Sequence, residues 1–136
     1  MRSKTKGIVL ACGCFDPLHY GHILHLEWAR AQGDQLIVAL SSDSVVATKG
    51  PGKPVFTWEQ RAHCLRALRC VDGIFKHEAV GDTLYALLPD IFVKGVDYKD
   101  KPMAETAICQ ELQIKLLFSP TAKFASGDLL EKWRPA

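Results

Sequence analysis

Short apolar runs alternate with segments of helical periodicity along most of the chain. Residues 7–12 form a continuous aliphatic run, which is typical of a strand buried on both faces of a parallel sheet. From residue 20 to residue 32 apolar side chains recur at helical spacing, and Gly33 stands where a helix-ending glycine is expected. Strands and helices in this alternation predict a parallel sheet that binds ligands beyond the carboxyl ends of its strands.

The same pattern continues to the end of the chain. Strands are predicted at residues 7–12, 35–40, 73–75, 90–94 and 115–118. Helices are predicted at residues 20–32, 57–68, 83–88, 103–112 and 126–133. The polar, Gly- and Pro-containing stretch 41–54 is predicted to be a surface loop, and Thr57 to Gln60 has the spacing of a capping box. The predicted fold is α/β, a Rossmann-like doubly wound parallel sheet of about five strands with helices on both faces.

Composition narrows the class of protein. With 136 residues, 48% of them hydrophobic, a single domain spanning residues 1–136 is expected. The net charge of +2, from 17 basic and 15 acidic side chains, argues against bulk binding to nucleic acid or to a membrane surface. The sequence shows neither a spanning segment nor a signal peptide. Its five cysteines form an odd set without a C-x-x-C pair, so a cytoplasmic protein with reduced thiols is expected.

The loop after the first predicted strand carries the most chemistry. It reads Gly-Cys-Phe-Asp-Pro-Leu-His-Tyr-Gly-His over residues 13–22, with His19 and His22 at the start of a helix. A helix N-terminus attracts phosphate, imidazoles add directed donors, and Gly13 and Gly21 let the backbone approach a ligand closely. On spacing alone, structural histidines remain an equal alternative.

A metal-binding module is a second interpretation of this region. Five residues of ligand type cluster here in sequence: Cys12, Cys14, His19, His22 and His25. Zinc favours such ligands, but a strand end followed by two helical turns does not bring four of them together easily.

The loop also resembles a known signature. Residues 13–22 match G-x-F-D-x-x-H-x-G-H of the cytidylyltransferase-like nucleotidyltransferases at every specified position. The similarity continues at residues 31–39, 42–43, 59–61, 71–72 and 88–98. The Lys-Gly-Val-Asp-Tyr run at residues 94–98 is most similar to the nucleotidyltransferase domain of ADP-heptose synthases, with glycerol-3-phosphate cytidylyltransferase as a near relative.

The resemblance implies an enzyme. It would transfer a nucleoside monophosphate from a nucleoside triphosphate, with ATP favoured, to a sugar phosphate such as heptose 1-phosphate, and release pyrophosphate. CTP-dependent transfer to glycerol 3-phosphate or another phospho-polyol is the alternative. The resemblance also implies Mg²⁺ carried with the triphosphate, and it makes a homodimer plausible.

Site residues follow from the resemblance in the same way. His19, His22 and Lys49 would be catalytic, and Lys53 and Arg61 would contact substrate phosphate. The implied nucleotide-binding residues are Cys14, Phe15, Asp16, Gly21, Lys94, Gly95, Asp97, Tyr98 and Ser126. Read without the resemblance, the basic side chains belong to a solvated loop and residue 97 caps a turn.

Two departures from the family pattern bear on affinity. Relatives carry a Ser-Thr-Thr run before the last helix, whereas residues 125–127 here are Ala-Ser-Gly, and Val96 replaces a second glycine. The weakened run leaves open a third interpretation, a nucleotide sensor without catalysis.

Overall fold

A computed structural model describes residues 7–120, apart from the side chain of Asp97. Its strands are β1 (Ile8–Gly13), β2 (Gln35–Ser41), β3 (Gly73–His77), β4 (Ile91–Gly95) and β5 (Lys115–Ser119). Its helices are α1 (Tyr20–Ala31), α2 (Asp43–Ala47), α3 (Trp58–Arg66), α4 (Val80–Leu87) and α5 (Ala104–Leu112), with a 3₁₀ turn at Val96–Tyr98. The predicted helix at residues 126–133 lies outside the described residues.

The five strands form one parallel sheet in the order β3-β2-β1-β4-β5. In the centre, Leu10 of β1 pairs with Ile37 of β2 on one side and with Phe92 of β4 on the other. From β1 the chain proceeds to β2 and β3 on one side of the sheet and then crosses back to β4 and β5 on the other side. This change of direction at β1 places a crevice at the carboxyl ends of the central strands.

Successive side chains of the strands point to opposite faces, and each face has its own core. One core contains Val9 and Ala11 of β1 with residues of α1 and α3, including Leu26 and Leu65. The other contains Leu10 with residues of α4 and α5. The predicted Rossmann-like α/β fold with helices on both faces is confirmed.

The structure corrects the predicted loop at residues 41–54. A short helix, α2, forms at its start because the Ser42 hydroxyl accepts a hydrogen bond from the Val45 amide, 3.3 Å away. Helix α4 begins three residues earlier than predicted, at Val80. Its N-cap, Ala79, makes no side-chain capping bond, so the sequence carried no signal for that start.

Gly33 follows α1 as predicted, but for another reason than a left-handed turn. The cap residue Gln32 is in the right-handed region. A Cβ on Gly33 would lie 2.5 Å from the Gly7 carbonyl oxygen and 2.6 Å from a methyl of Val9. Glycine is therefore required here by the close approach of the chain to β1.

Within residues 7–120, no helix has the length and apolar character needed to cross a membrane.

Candidate functional site

The loop after β1 is held in a strained conformation. Phe15 has a φ of 47°, which is unusual for a residue with a side chain, and it is only 5% exposed. Its ring packs over Gly13, where an added Cβ would lie 2.7 Å from the Phe15 Cε2 atom. Such strain costs on the order of 1–3 kcal/mol and persists where the surroundings determine the conformation, often at ligand sites.

His19 and His22 form a capping box made of two imidazoles. The Gly21 amide donates to Nδ1 of His19 at 3.1 Å, and the His19 amide donates to Nδ1 of His22 at 3.2 Å. Each Nδ1 therefore acts as an acceptor and carries no hydrogen. In the neutral ring the N–H must then be at Nε2, so both rings have the tautomer that can donate to a phosphate oxygen.

The two rings also limit each other's charge. They stack with their centroids 3.7 Å apart and their planes 22° from parallel, and Phe15 meets His22 edge-on at 5.0 Å. Two protonated rings at this separation would repel strongly. Burial lowers the pKa of His19 below its usual value. This lowered pKa suits His19 to donate as a neutral group at pH 7.

The pair opens into a cavity of about 400 Å³ at the carboxyl edge of the sheet. This volume is within the range of small-molecule sites. Nine of the residues predicted from the sequence line it: Cys14, Phe15, His19, Gly21, His22, Lys49, Lys94, Gly95 and Tyr98. The structure thus brings the β1 loop, the end of α2 and the end of β4 together around one space.

At the β4 end the cavity wall is cationic and aromatic. Lys94 Nζ lies 3.5 Å from a carboxylate oxygen of Glu105 and 4.4 Å from the centroid of the Tyr98 ring. The salt bridge is largely buried, with side-chain exposures of 18% and 14%, so it fixes the direction of the lysine. The Tyr98 ring remains 38% exposed and can meet a planar ligand.

Arg61 is corrected from a substrate contact to a structural residue. Its side chain is 1% exposed and its guanidinium is used within the protein. Nε donates to the Phe56 carbonyl, Nη1 donates to the carbonyls of Cys14 and Ser41, and Nη2 donates to Asp43. Arg61 therefore joins the loops after β1 and β2 to the start of α3.

Asp16 also has a structural role. One of its carboxylate oxygens accepts from the Val55 amide at 2.6 Å and the other from the Phe56 amide at 2.8 Å. It is not among the cavity-lining residues, so in this structure it positions the loop, and its predicted contact with the nucleotide stays a prediction. Lys53 is exposed and also lies outside that lining. Its predicted role, like that of Ser126, which lies outside the described residues, stays a prediction.

Sequence reasoning missed His77, which lines the cavity from the end of β3. It is 9% exposed, and its Nδ1 lies 2.7 Å from the Thr83 hydroxyl of α4. The prediction ended this strand at residue 75, two residues too early. A strand extended by two residues would have placed His77 at the same sheet edge as His19.

Cys12 and His25 line the cavity too, although the sequence suggested them only as metal ligands. Burial raises the pKa of the Cys12 thiol to about 12, so the thiol is neutral and unreactive at pH 7. Among residues 7–120, no three His, Cys, Asp or Glu side chains come together in a way that would hold a metal ion.

Comparison with known proteins decides the family. The family model described as cytidylyltransferase-like matches residues 10–124, which covers most of β1, the histidine pair and the strands β2 to β5. The chain belongs to the cytidylyltransferase-like family. The loop that resembles the signature and the fold that carries it are thus those of a nucleotidyltransferase domain.

Individual relatives agree with this assignment. The chain is 46% identical over 118 residues to the bifunctional protein HldE of Sulfurimonas denitrificans, covering 83% of this chain and 24% of that protein. It is 41% identical over 135 residues to HldE of Campylobacter jejuni subsp. doylei, covering 97% of this chain and 29% of that protein. The resemblance to heptose-type enzymes is confirmed. The chain spans about a quarter of the length of these relatives.

A solved structure supports the fold over most of the chain. The lipopolysaccharide core biosynthesis protein from Thermoplasma volcanium superposes with a TM-score of 0.72 at 28% identity. The match covers 85% of this chain and 98% of that one.

Proposed function

We propose that this domain transfers a nucleoside monophosphate from a nucleoside triphosphate, preferably ATP, to a phosphorylated sugar such as heptose 1-phosphate. Pyrophosphate is the second product. The observation that carries the proposal is the stacked pair of His19 and His22, whose Nδ1 atoms are occupied by backbone amides in a cavity at the start of α1.

The triphosphate binds at the start of α1. Both imidazoles offer Nε2–H donors, and the helix N-terminus contributes its partial positive charge. Lys49, exposed beside α2 and lining the same cavity, supplies a full positive charge. These groups match the charge that develops on the pyrophosphate as it leaves, so they act mainly by electrostatic stabilisation.

The acceptor needs no general base. Its phosphate oxygen is already anionic and attacks the α-phosphorus in line with the leaving group. The new P–O bond forms as the bond to the β-phosphate oxygen breaks, and the electron pair of that bond stays on the pyrophosphate. The neutral histidines donate hydrogen bonds to it without giving up their protons, so the reaction balances with no proton transfer.

Mg²⁺ is proposed as part of the nucleotide substrate. The described side chains that line the cavity include no carboxylate, and carboxylates are the protein ligands that Mg²⁺ prefers. This lining suits a metal ion held by the phosphate oxygens of the nucleotide, where it neutralises charge.

The preference for ATP rests on the end of β4. The 94–98 run is of the heptose type, and the half-exposed Tyr98 ring beside Lys94 offers a surface on which a base can stack. Weak binding is expected because residues 125–127, outside the described part of the chain, lack two hydroxyls of the family run. Each lost hydroxyl–phosphate bond costs about 1.5–3 kcal/mol.

A pyrophosphate-release screen tests the proposal. It crosses the four nucleoside triphosphates with sugar 1-phosphates, glycerol 3-phosphate and other phospho-polyols. Release should be fastest with ATP and a sugar phosphate and should need both substrates. A preference for CTP with glycerol 3-phosphate would show that the enzyme is a cytidylyltransferase and would refute the proposed substrates. Tight nucleotide binding without pyrophosphate release for any pair would instead indicate a nucleotide sensor. Titration calorimetry of the wild type and Gly127→Thr with ATP and CTP measures the contribution of the altered run.

A further inference from the structure

His77 lies at the β3 end of the cavity. It ends β3, where its register partner is Ser41 of β2. The histidine pair follows β1, two strands away in the order β3-β2-β1, and Lys94 follows β4 on the far side of β1. At about 4.8 Å per strand, the end of β3 is roughly 10 Å from the end of β1, so one ligand with a phosphate at one end and a hydroxyl-bearing body can extend between them.

The hydrogen bonds around His77 determine its tautomer. The Thr83 hydroxyl lies 2.7 Å from His77 Nδ1 and 3.2 Å from the Ala79 carbonyl. The hydroxyl has one hydrogen, and a carbonyl can only accept. Both contacts are hydrogen bonds only if Thr83 donates to Ala79 and His77 Nδ1–H donates to Thr83. Nε2 then carries the lone pair, the opposite of the arrangement in His19 and His22.

The neutral form of His77 is favoured by its surroundings. Burial and the positive charge of Lys94 lower its pKa, while Glu78 and Glu105 act in the other direction with smaller effect. Among residues 7–120, His77 Nε2 has no hydrogen-bond partner, yet the ring lines the cavity. A neutral ring nitrogen with a lone pair can accept a hydrogen bond from a hydroxyl group. It has no hydrogen to donate to a phosphate, whose oxygens at pH 7 are mainly acceptors.

We propose that His77 Nε2 accepts a hydrogen bond from a hydroxyl group of the phosphorylated acceptor, which makes His77 a specificity-determining residue for hydroxyl-bearing acceptors. The inference rests on the proposed function and adds to it. The α1 end of the cavity selects for phosphate, and the β3 end selects for a sugar or polyol hydroxyl at a fixed distance from it. Thr83 acts through His77 as a positioning residue.

Deoxy analogues of the best acceptor test this assignment. In the wild type, removing one particular hydroxyl should lower kcat/KM at least tenfold, because Nε2 is then left without a partner. In His77→Phe the parent acceptor should be poor and that discrimination should disappear, while the KM of the nucleotide stays unchanged. Thr83→Val should weaken the discrimination, and Thr83→Ser, which keeps the hydroxyl, should retain it. Melting curves of all variants verify folding.

The outcomes separate the two proposals. If the wild type transfers nucleotide but His77→Phe lowers kcat/KM equally for the parent and every analogue, or if it changes only the nucleotide KM, the specificity role is refuted and the proposed function stands. Absence of transfer to every phosphorylated acceptor refutes both. Nitrogen-15 NMR of the histidine rings gives a readout independent of activity. Nδ1–H should be seen for His77 in the wild type, and a neutral Nε2–H form would overturn the inference.

Discussion

Replacing Arg61 by Met should destabilise the domain strongly and affect substrate affinity only as a consequence. The side chain is among the largest that are fully buried, and it connects three loops that shape the cavity. Methionine fills much of the volume but donates no hydrogen bond. The carbonyl oxygens of Cys14, Ser41 and Phe56 would each lose a charged donor.

The size of the effect follows from burial. A bond from a charged group contributes about 1.5–3 kcal/mol, and three such bonds that are not additive give a loss of about 3–5 kcal/mol. With an unfolding entropy of roughly 0.3 kcal/mol per degree for a chain of this length, Tm should fall by roughly 10–17 °C. Asp43 is 51% exposed, so its remaining charge stays hydrated, and Asp43→Asn should cost less than about 1 kcal/mol.

Differential scanning calorimetry and steady-state kinetics together distinguish the two roles of Arg61. Arg69→Met is the matched control, since Arg69 is exposed, and its Tm should be unchanged. Arg61→Lys should recover little stability, because an ammonium cannot reproduce the planar fork of donors. If Arg61→Met has the Tm of the wild type but a raised KM, the structural role is refuted and the substrate contact predicted from the sequence is supported.

Three further predictions concern the cavity. His19→Asn keeps an acceptor for the helix amide but removes the ring N–H, so turnover should fall about 10²-fold with little change in Tm. His19→Ala removes the acceptor as well and should also lose about 1 kcal/mol of stability. Equal melting temperatures of the two variants would contradict the capping role. Lys49→Ala should raise the nucleotide KM several-fold, and an unchanged KM in Lys53→Ala would assign that lysine to the solvated loop. Because the pKa of His77 is lowered in the folded state, this histidine is protonated at higher pH in the unfolded chain than in the folded one. The free energy of unfolding should therefore decrease as the pH falls below about 6.5. His77→Phe should flatten the fall in Tm between pH 7.5 and 5.5, and an unaltered slope would contradict this origin.

The sheet could be predicted because its signal is local. Continuous aliphatic runs such as residues 7–12 mark buried parallel strands, and each predicted strand was found within two residues of its bounds at either end. The capping box at Thr57 was likewise visible in sequence and is present in the structure. Helix α2 was not predicted because it is only five residues long and the Gly and Pro residues that follow it indicate a loop. The capping hydroxyl of Ser42 was the only local signal for its start.

The site could be predicted only in part, because the direction of a side chain depends on distant contacts. Arg61 and Asp16 lie in matching motif positions, yet both are turned toward backbone groups up to 47 residues away. His77 had no motif and no periodicity to mark it. Its place in the cavity follows from the register of β3 beside β2, which local sequence does not specify.

The stoichiometry of the reaction tests the central claim most directly. Phosphorus-31 NMR of the domain with Mg²⁺, ATP and the best phosphorylated acceptor should show one pyrophosphate and one nucleoside diphosphate sugar formed for each ATP consumed. The same sample with the His19→Asn, His22→Asn double variant, which keeps side-chain acceptors but lacks both imidazole donors, should show almost none. Release of AMP or ADP without a coupled product, or an undiminished rate in the double variant, would contradict the account.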